Sequence, residues 1–189
     1  MTDAAGGGSA DGSRAGARRT PIVSIELLLD AATEAAVRGE WDALIAAGLP
    51  SAGRHPGASN RPHVTMLVRP ELARFDASVL LGRAFPVTLG APLLFGAGDR
   101  RVLARAVVPS AELIALHAAV HAEAGAGDDV AHTVPDAWTP HVTLARRMRL
   151  ADLERALPLV GGEMHAVAAG LRRWDAASAT VTDLGEFGA

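Results

Sequence analysis

The tetrapeptide Pro-His-Val-Thr occurs twice, at 62–65 within RPHVTMLV and at 140–143 within TPHVTLARR. Both copies lie in runs of β-branched and aliphatic residues that read as strands. Residues two apart on a strand share a face, so His63 projects with Thr65 and His141 with Thr143, while Val64 and Val142 turn to the opposite, core-facing side. Each copy therefore offers one imidazole beside one hydroxyl. Facing each other across a cleft, the copies bring two imidazoles and two hydroxyls to a single ligand. One neutral imidazole takes a proton from an attacking oxygen, and the other, protonated, gives one to a leaving oxygen. The hydroxyls, assisted by an arginine, hold the non-bridging oxygens of a phosphate. This is phosphate-ester chemistry carried by positioning and charge, with no metal or other cofactor required. Neither histidine has a carboxylate or a third ligand near it in sequence at metal-binding spacing.

The frame for these strands is legible around them. PIVSIELLL (21–29) reads as a first strand, followed by DAATEAAVRGEWDALIAAG as a helix from an Asp start to a stop at Gly48. SAELIALHAAVHAEAG reads as a helix capped by Ser110 and ended by Gly125. Two Pro- and Gly-containing loops, LPSAGRHPGASNRP and AGDDVAHTVPDAWTP, each deliver the chain to a PHVT strand. ELARFDASVLLGR, after Pro70, is expected to be a helix, and another is expected at about 150–158, so that a helix follows each copy. FPVTLG, PLLFG and RVLARAVV read as three short strands, and MHAVAAGLRRWD and SATVTDLGEF as two more. Tandem short strands favour antiparallel pairing, and the class expected is α+β.

Composition removes other chemistries. There is no cysteine, which excludes disulfides, thiolate nucleophiles and zinc–cysteine sites. All 18 basic residues are arginine, which excludes Schiff-base chemistry, a P-loop lysine and a lysine adenylate. A net charge of −3 and a pI near 6.1 argue against non-specific binding of long nucleic acid, while leaving room for a small anion held by a few arginines. No run approaches the roughly 18 apolar residues of a membrane span. Residues 1–20 lack the apolar core of a signal peptide and are expected as a disordered tail, with the protein cytoplasmic and without a membrane partner. His117 and His121, one helical turn apart, are expected on a packing or surface face rather than as metal ligands. Arg54, His55 or Arg61 is placed to form an anion clamp at the mouth of a cleft, and the loop at 124–138 reads as a flap with His132 and its aspartates in solvent.

RPHVTML and TPHVTLARR, with LLFG and RRVLARAVVPSAELIALH between them, resemble the paired His-x-Thr signature of the 2H phosphoesterase superfamily, in particular its 2′-5′ RNA ligase and RNA 2′,3′-cyclic phosphodiesterase branch. The resemblance covers about residues 21–187. It implies a single bilobal domain at 21–189, with two pseudo-symmetric lobes, each an antiparallel sheet with outer helices, around a central cleft. It also implies metal-independent hydrolysis of 2′,3′-cyclic phosphate ends of RNA or nucleotides, or the reverse 2′-5′ end joining; the protein is expected to be a monomer. His63 and His141 become the acid/base pair, and Thr65 and Thr143 the phosphate holders. The family's phosphate-binding arginine, five residues beyond the second motif histidine, falls on Arg146. Strict alternation aims Arg147 at the His141 face instead, unless a bulge re-aims Arg146. The family often stacks a base on an aromatic ring; in a chain without tyrosine, Trp138 is the best-placed candidate. A competing reading is a non-catalytic module that binds RNA ends or nucleotides.

Overall fold

Strand β1 (Val23–Leu29) sends Val23, Ile25, Leu27 and Leu29 into the core and leaves Ser24 and Glu26 on its other face. A computed structural model describes residues 21–57 and 59–188; the tail expected at 1–20 lies outside the described residues. Helix α1 (Ala31–Ala46) starts where the Asp30 carboxylate accepts from the Thr33 amide and hydroxyl, both at 2.9 Å, and the chain reverses at Gly48, whose φ is 73°. Helix α2 (Ala111–Ala124) is capped by the Ser110 hydroxyl, which accepts from the Leu113 amide, and ends at Gly125 with φ 66°.

The remaining strands are β2 (Val64–Arg69), β3 (Pro86–Phe95), β4 (Arg100–Val107), β5 (His141–Arg149), β6 (Met164–Asp175) and β7 (Thr180–Glu186). FPVTLG and PLLFG form the single strand β3, with an irregular register between Leu89 and Pro92 that accommodates the proline. The class is α+β, and every ladder is antiparallel. Among the described residues all seven strands belong to one sheet, in which β2-β1-β6-β7 and β5-β4-β3 are unequal sets joined at two places. One join is the ladder between β3 and β6; the other is a single pair, Val64 opposite Val142. The pairing thus closes on itself, with β2 and β5 meeting at one point.

The helix expected after Pro70 does not form; residues 77–80 make only a 3-10 turn. The Arg173 guanidinium donates to the carbonyls of Leu72 and Ala73, which a helix would have reserved for its own amides. Leu72, Ala77 and Leu80 are still buried, so the apolar content of this stretch covers the sheet without being helical. The second expected helix forms as a short one, α3 (Leu153–Ala156), flanked by 3-10 turns. Among the described residues no helix is long and apolar enough to cross a membrane.

One core cluster joins Val64, Met66, Val142 and Leu144 of the motif strands to Val37, Trp41 and Leu44 of α1 and Leu113, Leu116 and Val120 of α2. Each such side chain contributes about 1.5–3 kcal/mol by leaving water. That burial decides which side of β2 and β5 faces inward, and hence which side carries His63, Thr65, His141 and Thr143.

Candidate active site

Val64 opposite Val142 sets the register of the two motifs: one residue either way, Thr65 stands across from His141 and Thr143 across from His63. The valines are fully buried, and the four polar residues share the other, half-exposed face. The imidazoles are anchored alike. His63 Nδ1 lies 2.7 Å from the Arg61 carbonyl, and His141 Nδ1 lies 2.8 Å from the Thr139 carbonyl. A carbonyl only accepts, so each Nδ1 carries the proton and donates it, leaving each Nε2 as the working atom. His63 and His141 flank the Val64–Val142 pair, one on each strand and on the same face. Burial pushes the His141 imidazole below its ordinary value. The Thr139 carbonyl opposes this, and positive charge at His132, His63 and Arg146 adds to it.

Arg146 reaches the motif face through a bulge. Ala104 pairs with Thr143 but Leu103 with Ala145, so Leu144 is an extra residue and alternation is reset. Leu144 and Ala145 are both buried, and Arg146 then falls on the His141 side. A second irregularity follows before Met148, where Arg147 takes φ 60°, and its side chain is exposed.

Three expected positions prove to be occupied otherwise. Arg61 is turned onto α1, where its guanidinium donates to Glu34 at 2.6 and 2.8 Å. Arg54 donates to the Leu49 carbonyl, in the loop just beyond that helix. Each of the two guanidiniums thus has a partner within the fold. Trp138 stacks on His117 at 3.9 Å with its rings 4° apart, and its indole N–H donates to the Thr65 carbonyl at 2.9 Å. It braces β2 against α2 and is not a free stacking platform. The loop before the second motif is likewise tied down. Val130 donates to the Val68 carbonyl, Asp129 pairs with Arg69 and His121, and the Thr133 hydroxyl accepts from the Val68 amide. His117 and His121 serve this packing.

Several neighbours were not legible in the sequence. Phe95 lies on the motif face because Phe95–Val102 and Leu93–Ala104 continue the cross-strand rows of β4; its ring centre is 4.5 Å from that of His141. A carboxylate does stand beside one histidine: Glu26 Oε1 is 3.5 Å from His63 Nε2, and Glu26 is paired across β1 with Thr65. Trp41 mirrors Trp138, its N–H donating at 3.1 Å to the Thr143 carbonyl. The motif strands share only one backbone pair, and the two indoles hold the carbonyls beside it. Trp138→Phe, which keeps a ring against His117, is expected to cost about 1–3 kcal/mol in urea denaturation through the orphaned carbonyl. Trp41→Phe is expected to cost more, since Trp41 is 3% exposed and also loses volume. Parental stability in both variants would show that the indole bonds hold nothing.

The profile of the 2′-5′ RNA ligase superfamily matches residues 34–185. The chain belongs to this superfamily, that of the 2H phosphoesterases. Solved structures similar to it include Kluyveromyces marxianus Usb1, at 14% identity over 87% of this chain and 98% of that one, with a TM-score of 0.45. A phosphoesterase is similar at 15% identity over 89% and 99%, with a TM-score of 0.49. No curated protein sequence matches the chain. Superfamily membership makes this an enzyme of the phosphoesterase and ligase kind.

Proposed function

We propose that the protein is a metal-independent phosphodiesterase that opens 2′,3′-cyclic phosphates at RNA ends or on small nucleotides. The observation that carries this reading is the matched anchoring of His63 and His141: both rings are held by Nδ1 to the carbonyl two residues back, which leaves Nε2 of each as the atom for proton transfer. Around them stand the Thr65 and Thr143 hydroxyls and the Arg146 charge, the donors a phosphate requires. In the reaction, one Nε2 takes a proton from water as its oxygen attacks phosphorus, and the other protonates the ribose oxygen as its bond to phosphorus breaks. A 5′-hydroxyl in place of water would turn the same groups to 2′-5′ joining, the second reading, favoured by the superfamily the chain belongs to. Lacking lysine, the chain would draw the energy for joining from the cyclic phosphate itself.

The test is turnover of 2′,3′-cyclic mononucleotides, dinucleotides and oligonucleotides in excess chelator, with and without a 5′-hydroxyl acceptor. Full hydrolysis in chelator is expected. Loss of activity that zinc or manganese then restores would overturn metal independence. Binding without turnover of any of these would leave a binding module.

A further inference from the structure

We propose that the arginine-bearing ends of β4 and β5 form a second anion site, outside the two motifs, that takes backbone phosphates of an RNA strand several nucleotides from its reacting end; this rests on the phosphodiesterase reading above. The site follows from the register of the two strands. Ala106 is paired with His141 and Arg100 with Arg149, so β5 advances eight residues while β4 advances six. The two surplus residues of β5 are the bulge at Leu144 and the irregularity before Met148. Each reverses the alternation, and together they return Arg149 to the face of His141. β4 has no surplus residue and puts Ala106, Ala104, Val102 and Arg100 on that same face, with Ala104 opposite Thr143. His141, Thr143, Arg146 and Arg149 thus form one row, with Arg100 beside its far end. Six residues of β4 at about 3.3 Å each set that end roughly 20 Å from His141.

The charges gathered there are unanswered. Elsewhere arginines are matched to carboxylates: Arg61 to Glu34, Arg69 to Asp129, Arg105 to Glu40 and Arg172 to Glu26. Arg100, Arg146 and Arg147 are exposed and, among the described residues, have no hydrogen-bond acceptor or ion-pair partner. Arg149 has only Asp99, 3.8 Å away and itself exposed. Four guanidiniums against one carboxylate make a local positive field on a chain whose net charge is −3. Arg100 stands directly across from Arg149, a like-charge pair that weakens the ladder unless an anion lies over it. Arg147 holds φ 60°, a conformation that favours glycine, so the bulge keeps an arginine where a smaller residue would be less strained. The backbone under these side chains is fixed. The Leu150 amide donates to the Asp99 carbonyl at 2.9 Å, which ties the end of β5 to the turn between β3 and β4, and the Arg101 guanidinium closes that turn on the Gly96 carbonyl.

A 2′,3′-cyclic mononucleotide carries its one negative charge at the reacting group, so it offers nothing for Arg149 and Arg100 to hold. An RNA strand carries a further phosphate at every nucleotide upstream of that group. With its cyclic end between the motifs, the strand runs out along β5, past Arg146 and Arg147 to the pair at the far end. Guanidiniums suit these oxygens through paired N–H donors, and they read the backbone without reading bases. The site therefore selects for strand length and not for sequence.

The decisive comparison sets the parent against the double variant Arg100→Gln/Arg149→Gln, on an RNA hexanucleotide ended by a 2′,3′-cyclic phosphate and on the matching cyclic mononucleotide. The ratio of kcat/KM between hexanucleotide and mononucleotide is expected to fall about tenfold in the variant. An unchanged ratio would overturn the proposal, and so would an equal loss on both substrates, which would mark a defect at the motifs. Binding gives a readout that needs no turnover. A labelled hexanucleotide ending in a 3′-phosphate is titrated by anisotropy at increasing salt. The slope of log affinity against log salt should be shallower in the variant by about 0.7 for each arginine removed. In the parent alone, that slope should be steeper for the hexanucleotide than for a labelled mononucleotide 3′-phosphate. Equal slopes in either comparison would refute the site, the second without any variant. Polyglutamate displacing the hexanucleotide as well as unlabelled RNA of equal charge would overturn the assignment to a nucleic acid. Absence of turnover on every cyclic substrate would count against the phosphodiesterase reading, while the salt slopes would still judge the arginine site.

Discussion

Replacing either His63 or His141 with Ala is expected to lower kcat on a 2′,3′-cyclic nucleotide by about 10²–10⁴-fold while the protein stays folded. Folding is expected to survive because both side chains are half-exposed and each gives up a single hydrogen bond to a carbonyl near the surface. The core beneath them is built from Val64 and Val142, which are untouched. The double variant should be little worse than either single one, since two groups that move protons in one step fail together. Thr65→Ala and Thr143→Ala are expected to be milder, each removing one bond to a charged oxygen worth about 1.5–3 kcal/mol. Arg146→Gln should weaken turnover more than Arg147→Gln, because the bulge at Leu144 turns Arg146 toward His141. Steady-state kinetics on all six single variants, with circular dichroism as the folding control, decide this. A folded His141→Ala protein with parental kcat would end the paired mechanism.

Glu40→Ala is expected to remove about 3–5 kcal/mol of stability, a large share of the 5–15 kcal/mol that holds a typical domain folded. Its partner Arg105 is fully buried in the middle of β4. All five of its N–H bonds have acceptors: two on the Glu40 carboxylate, one each on the Gly90 and Gly162 carbonyls at 3.1 and 3.0 Å, and one on the Gly161 carbonyl at 2.8 Å. Deleting the carboxylate leaves the guanidinium buried with dipoles alone to answer its charge, and also frees the Gly161 amide, which donates to Glu40 at 2.7 Å. Glu40→Gln keeps an acceptor and should cost less. A double change to apolar residues, Glu40→Leu with Arg105→Met, should recover much of the loss because no orphan charge remains. Urea denaturation of the three proteins measures the differences. A double variant less stable than Glu40→Ala would show that the pair itself, and not the unpaired charge, is what matters. Arg105 is paired with Val142, so loosening here should also disturb the second motif.

Features set by short-range geometry were readable along the chain. The two-residue pleat places His63 with Thr65 and His141 with Thr143 in any fold that keeps those strands, and buried valines say which side faces in. The Asp30, Ser110 and Gly125 caps bound α1 and α2 through bonds within a few residues. Superfamily membership was readable from the repeated PHVT for the same reason. The remaining features depend on partners distant in sequence. Whether Arg146 or Arg147 faces His141 is set by the register of β5 against β4, since one extra residue at Leu144 reverses every later side chain. The stretch after Pro70 has helical composition but yields its carbonyls to Arg173, a hundred residues on. Arg61, Arg54 and Trp138 stood at promising positions, yet each is claimed by a partner that local pattern does not reveal. Glu26 is one charge in an aliphatic strand until β1 is laid between β2 and β6, which puts it between His63 and Arg172. Pleat and caps are properties of neighbouring residues; sheet register and ion-pair partners are properties of the closed chain.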